Sequence, residues 1–405
     1  MAAAIILENS DSNNYHIHLF EKNSSPWRKV IISGGGRCNL TTGIEDKKIL
    51  LSKYTRGSDF IKKAMGKFPP HKVREWFESH GVPLKCEADN RVFPTSDDGR
   101  DIVDIFEDIF AKYRDNISIH HGEWVTEVSM NSENFIMKTS KWTYESDILV
   151  ITTWGNAYSH TGSTGDGYIF SKNLGHTITK LWPSLSSFLT KESWMHACSG
   201  IAFENAKIVS WNLTINWPIL ITHFGISWPL TFVLSSELAW EQIDKNHPKS
   251  IYLSPISEMN FTIWNDFLKQ QFQDHPKKLI TSILSEKLPR RFVEWFVKEF
   301  ASEMENTFVS SISRNDREKL AKLLSEWIPI TLTERRPGDE FVTAGWVSTD
   351  EIDSETMESK IQKNLYFAGE VLNVDAVTWG FNLQSCWDSG YVAGKTIAWK
   401  IIQTN

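Results

Sequence analysis

The run Ser33-Gly34-Gly35-Gly36-Arg37-Cys38-Asn39-Leu40-Thr41 gathers several kinds of chemistry into a few residues. Three successive glycines free the backbone to turn N–H groups toward an anion. Arg37 adds a planar cationic fork, and Asn39 adds both a donor and an acceptor. A phosphate or the polar edge of a ring cofactor would suit this set. A tight loop with an exposed arginine satisfies the same residues. A second constellation runs from Leu365-Tyr-Phe-Ala-Gly369-Glu370 to Gly380-Phe-Asn382-Leu383-Gln384. A short buried strand, a Gly-acid pair and a helix N-terminus make an anion cradle, or simply a β–α connection. Tyr15-His-Ile-His-Leu-Phe20 alternates and ends at Glu21, where a strand-end carboxylate can take ribose hydroxyls or stay solvated. In Thr161-Gly-Ser-Thr-Gly-Asp166-Gly-Tyr168, the turn either packs under a dinucleotide or uses Asp166 to cap the next helix. His223, inside Thr222-His-Phe-Gly-Ile-Ser227, is either a proton donor or a structural histidine.

The surrounding pattern supplies the elements that must position these groups. Residues 2–9 read as the end of a helix, 9–14 as a polar turn, and 15–21 as a strand. Residues 29–33 read as a short extended segment broken by the glycines. Helical periodicity covers 61–80 and 102–113, and strands follow at 124–128, 135–139 and 148–153. A helix follows at 169–175. Residues 208–234 are strand-like and interrupted by Pro218 and Pro229. Residues 264–303 are helical, punctuated by Pro276 and Pro289. The chain closes on a strand at 365–368 and a long helix at 383–402. This order predicts an α/β domain built from 1–180 and 335–405. The inserted middle, 181–334, is expected to be β-rich over 181–236 and helical over 237–325.

The bulk numbers narrow the function. A chain of 405 residues with 41% hydrophobic and 23% charged residues is globular and long enough for more than one domain. A net charge of −7 argues against a nucleic-acid surface. Cys38, Cys86, Cys198 and Cys386 are scattered without CxxC spacing, so no metal site is expected. Lone thiols fit a reducing, cytoplasmic setting. The start lacks a basic n-region, and the most apolar stretch carries His223 and two prolines, so neither a signal peptide nor a membrane span is expected.

Together, the stretches 29–41, 91–96, 162–168, 222–227, 356–360 and 365–394 resemble the BaiN/RdsA-like family of FAD-dependent oxidoreductases, formerly labelled aminoacetone-oxidase-like. The resemblance spans nearly the whole chain. It implies a Rossmann-like FAD domain of the glutathione-reductase/fumarate-reductase type, made from both ends of the chain, with a small β-barrel and a helical part inserted. It also implies flavin contacts at Glu21, Lys22, Gly35, Gly36, Arg37, Cys38, Asn39, Val125, Gly155, Gly369, Glu370, Asp375, Asn382, Leu383 and Gln384. The expected reaction moves a hydride between NAD(P)H and a small organic substrate through flavin N5, with His223 the candidate acid. No second dinucleotide fingerprint is present, so NAD(P)H is expected to bind transiently. A non-catalytic flavin-binding or scaffold protein is the alternative, and an inactive fragment is another.

Two departures from the family pattern stand out. The chain starts inside the first helix, so the first strand and its G-x-G-x-x-G phosphate loop are expected to be missing. Tryptophan also stands where the pattern has glycine, at Trp154, Trp228, Trp346 and Trp379, with Trp27, Trp142 and Trp217 similar. The chain has 18 Trp and only 22 Gly, and counting those seven as glycine gives 29, about the usual 7%. These residues are expected to be UGA codons that the gene's own code reads as glycine. A chain carrying indoles there is expected not to retain FAD.

Overall fold

A computed structural model gives the structure of the protein and describes residues 1–10 and 14–404. Part of the expected polar turn at 9–14 therefore lies outside the described residues. Two compact units divide the chain. One comprises Met1–Trp182 with Phe341–Asn405, and the other is Pro183–Glu340.

The first unit holds two parallel strand pairs. Strand β1 (Ile17–Glu21) pairs with β2 (Ile117–His121), Ile17 opposite Ile117 and Glu21 opposite His121. Strand β3 (Leu149–Ile151) pairs with β4 (Leu365–Phe367). Among the described residues each of β1 and β3 is paired along one edge only. Residues flanking both open edges, Tyr15 to Asn23 and Glu145 to Trp154, line one cavity of about 1050 Å³. An antiparallel meander, Val125–Asn131, Asn134–Thr139 and Thr143–Ser146, sits between β2 and β3 in the chain.

Helix α1 (Ala2–Asn9) buries Ala4, Ile5, Ile6 and Leu7. It packs on the long helix α2 (Phe381–Thr404), where two glycines one turn apart remove the side chains that would keep the backbones apart. A Cβ on Gly390 would stand 3.0 Å from the Met1 Cβ, and one on Gly394 would stand 2.7 Å from the Ala2 carbonyl oxygen. An apolar cluster containing Phe77, Phe106, Phe110 and Trp387 fills the space beneath α1 and the helix Arg100–Lys112.

Residues 28–32 differ from the extended segment expected. Arg28–Ile32 forms a helical turn that buries Val30. The run Val30-Ile31-Ile32 has strand propensity, but packing of Val30 and Ile31 against the cluster overrides it. The helical stretch expected at 61–80 is two helices, Ser58–Lys67 and Pro70–Ser79, because Pro69 cannot continue the first.

The second unit contains a closed six-stranded antiparallel barrel. Its order is Phe188–Thr190, Gly225–Ser227, Leu213–Ile221, Ala202–Ser210, Lys249–Ser254 and Ile328–Arg335. Fully buried Ile208, Ile219, Ile251, Leu253, Ile330 and Leu332 form its interior. Lys249–Ser254 is a strand inside the stretch expected to be helical. Conversely, Pro229–Glu237 is a helix inside the β-rich stretch, with proline at its first position. The helices Phe261–Asp274, Ile280–Leu284 and Arg290–Phe300 follow the expected breaks at Pro276 and Pro289. Among the described residues no helix is long and apolar enough to cross a membrane, and no cluster of three or more His, Cys, Asp or Glu could hold a metal ion.

Candidate functional site

The end of the large cavity bounded by Glu21, Gly369, Glu370 and Leu383 is the candidate site; the remainder runs between the open edges of β1 and β3. Glu21, Lys22, Val125, Gly369, Glu370 and Leu383 all line it. Glu21 closes β1, and its carboxylate accepts from the Asn23 backbone N–H (2.7 Å) and side-chain amide (2.8 Å). Lys22 donates to Thr164 Oγ1 (2.9 Å) and Asp166 Oδ2 (3.0 Å). Asp166 therefore serves Lys22 and makes no side-chain cap to its own helix. The Asn23 amide also donates to the Thr161 carbonyl oxygen, which locks the glycine turn at 161–166 against the end of β1. That turn lines the cavity too, as does Met1-Ala2-Ala3 at the start of α1.

A smaller chamber of about 130 Å³ shares Trp154, Glu370, Leu383 and Cys386 with this cavity. Lys29, Ser33 and Asn382 line it as well. Lys29 Nζ stands 2.5 Å from Glu370 Oε2, and the two side chains are 11% and 8% exposed. Sequence reading singled out Glu370 but not Lys29. The pair joins positions 341 residues apart, and no local pattern announces it. The half-buried Cys386 thiol lies in the same neighbourhood, where desolvation and then the Glu370 charge push it up to about 12. Cys38 is pushed up to about 12 by burial. Neither is a thiolate nucleophile near neutral pH.

The glycine loop stands apart from both cavities. Gly34, Gly35 and Gly36 have φ of +58°, +74° and +91°. A side chain on Gly34 would strike the Asn39 backbone nitrogen, whereas Gly35 and Gly36 are open. Arg37 does not reach Glu370 or Asn382. Its guanidinium binds Glu87 (2.8 Å) and Asp97 (3.1 Å) and lies over the Phe93 ring. Asn39 does reach the start of α2: its amide oxygen accepts from the Gly380 N–H (3.0 Å) and its nitrogen donates to the Thr41 carbonyl oxygen (3.3 Å). Asn382 clamps the preceding loop through the Ala376 N–H (2.9 Å) and carbonyl oxygen (3.0 Å). Asp375 is fully buried and held by Arg56. Gln384 is also fully buried; it accepts from Thr41 Oγ1 and donates to the Phe68 carbonyl oxygen and to Asp388.

The tryptophans shape the site. The Trp346 ring is fully buried and occupies the space beside Gly155, 2.5 Å from where a Cβ would sit. Trp154 lines both cavities. Trp379 turns outward, its indole N–H donating to Asp89 (3.1 Å). Trp27, Trp228 and Trp379 have φ of +70°, +76° and +77°. This is backbone that glycine adopts freely and tryptophan does not. His223 lies exposed in the second unit, in the turn that Thr222 and Gly225 close by mutual backbone bonds.

The family described as HI0933-like protein Rossmann domain matches residues 1–396. The chain belongs to this family. This HI0933-like protein is similar to a 3-dehydro-bile acid delta(4,6)-reductase of Clostridium scindens, 23% identical over 98% of this chain and 96% of the relative. It is 26% identical to a ribosomal RNA dihydrouridine synthase of Escherichia coli, over 94% of this chain and 91% of the relative. The corresponding synthase of Haemophilus influenzae is 25% identical over 94% and 92%. The HI0933-like family is one of flavin-dependent oxidoreductases, and its Rossmann domain accounts for the parallel pairs of the first unit. A strand-end carboxylate able to accept from ribose hydroxyls lines the cavity, and buried Thr153 Oγ1 on its wall has no hydrogen-bond partner, a lining that fits a dinucleotide.

Proposed function

We propose that this protein is an FAD-dependent reductase that uses NAD(P)H to reduce a small organic molecule with a C=C bond conjugated to a carbonyl. The observation that carries this reading is one continuous cavity joining the carboxylate of Glu21 to Glu370 and Leu383 at the start of α2. FAD, when bound, supplies hydride transfer through its N5 atom. Glu21, Lys22 and Val125 would hold the adenosine end. Gly369, at φ +82°, lets the backbone come close to the ligand. Asn382 and Leu383 present the positive end of α2. Asn39, Asp375 and Gln384 fix the loops that carry those groups. Gly35, Gly36, Arg37 and Cys38 form the loop behind them, and Gly155 packs beside Glu370. His223 is the candidate donor of the proton that completes the reduction.

The relatives' names favour the conjugated C=C. A 3-dehydro-delta(4,6) bile acid and a uracil ring both carry C=C beside C=O. The net charge of −7 favours the small molecule over RNA. The test mixes purified protein with added FAD under anaerobic conditions and follows bleaching of the flavin by NADH and by NADPH. Reoxidation by a 3-oxo-delta(4,6) steroid is expected. Reoxidation by unmodified rRNA alone would move the substrate to RNA, and absence of bleaching would leave a non-catalytic flavin binder.

A further inference from the structure

We infer that Lys29 is a positioning residue of this site: its ammonium is the fixed positive charge that favours the reduced, anionic form of the flavin. The inference rests on the flavin reading above and adds to it a residue with no role there. Lys29 belongs to the helical turn Arg28–Ile32, whose burial of Val30 anchors it. Glu370 lies just past the end of β4. The two meet at 2.5 Å in the small chamber, beside Asn382 and Leu383 of α2.

The geometry leaves the positive member free to act. Both oxygens of Glu370 are engaged, Oε2 by Lys29 and Oε1 by the Thr343 N–H at 3.4 Å. An ammonium has three donors. Lys29 uses one on Glu370 and a long one, 3.5 Å, on the Ala157 carbonyl oxygen. The third is available to the chamber. A buried ion pair does little for stability that an apolar pair would not do equally well. Glu370 is the anion that balances Lys29 beside the positive end of α2. Reduction of a flavin puts negative charge on its pyrimidine edge, and a ring reaching this chamber would bring that charge to Lys29 and the α2 N-terminus together. Glu370 therefore holds Lys29 oriented at the edge of the chamber.

The test measures Kd for oxidised FAD and for dithionite-reduced FAD, anaerobically, by equilibrium dialysis. The proteins are the unaltered chain, Lys29→Met, Lys29→Arg and Glu370→Gln. Lys29→Met is expected to weaken the reduced form about tenfold more than the oxidised form, the factor that one unit of pKa shift represents. Lys29→Arg should restore the preference to within about threefold, since it returns the charge with a different shape. Glu370→Gln should strengthen the preference for the reduced form, because it removes the opposing charge. A purely structural pair would change both affinities by the same factor, and that result for Lys29→Met overturns the inference while leaving the flavin reading intact. If neither the unaltered chain nor its Trp154→Gly variant binds either form, the flavin reading itself falls, and the role of Lys29 with it.

Discussion

Replacing Trp228 with glycine is expected to stabilise the second unit relative to alanine at the same position. Trp228 is the residue before the helix Pro229–Glu237, with φ +76° and ψ −177°. That region is essentially reserved for glycine and costs any other residue about 1–3 kcal/mol. A residue before proline is moreover normally held at negative φ. The indole is 42% exposed, so its removal forfeits only part of a tryptophan's burial. Trp228→Ala loses the ring and keeps the strain, whereas Trp228→Gly loses both. The glycine variant should exceed the alanine variant by about 1–2 kcal/mol, after allowing for the freedom glycine gives the unfolded chain. For a domain of this size that is about 2–4 °C in Tm per kcal/mol. Trp327→Gly is the control, since Trp327 sits in a helical turn where glycine has no strain to relieve and should lower Tm. Thermal denaturation of the three variants decides the matter. An alanine variant as stable as the glycine variant would refute the reasoning. Trp27 and Trp379 carry the same positive φ, and UGA codons are expected at Trp27, Trp154, Trp228, Trp346 and Trp379; TGG codons there would remove the recoding idea.

Other outcomes follow from the site. The chain is expected to hold less than one FAD through purification, and Trp154→Gly should raise flavin absorbance per chain, because the indole lines both cavities; stoichiometric FAD on the unaltered chain would contradict this crowding. His223→Gln should slow substrate reduction about 10²–10⁴-fold with FAD affinity unchanged, the range for loss of a general acid; unchanged turnover returns His223 to a structural role. Asp388 is fully buried, and desolvation holds its carboxyl well above the ordinary value of 3.8. Its folded pKa exceeds its unfolded one, so the stability it contributes is present below about 3.8 and is lost as pH rises toward the folded value. Asp388→Asn should therefore raise Tm at pH 7 more than at pH 4, and an equal change at both would refute the assignment.

The periodicity of residues 15–21 exposed β1, whereas the seating of α1 on Gly390 and Gly394 was not read from the closing helix. The glycine loop was equally plain, but not the destination of its arginine. Arg37 reaches Glu87 and Asp97, which lie 50 and 60 residues away, and nothing near Arg37 specifies them. Lys29 was hidden for the same reason and also because its segment reads as a strand. The barrel could be only half inferred, since the strand that closes it, Ile328–Arg335, pairs with Phe188–Thr190 across the whole inserted helical part. Local patterns report which face of an element is buried; they do not report which distant surface buries it.

The contact of α1 with Gly390 and Gly394 has a kinetic consequence. During vectorial synthesis α1 is made early, yet the groove that receives it arrives only after almost the entire chain has been translated. Until then α1 has only part of its native cover: Leu7 packs in the cluster with Phe77 and Phe106, while Ile5 awaits Gly394. The first unit must therefore close late, through contacts of very high sequence separation, a class of topology that folds slowly. The second unit, contiguous in sequence, can complete its barrel beforehand. In a growing chain the inserted unit would be a folded body while the unit that encloses it in sequence is still open, leaving α1 the segment most in need of a chaperone.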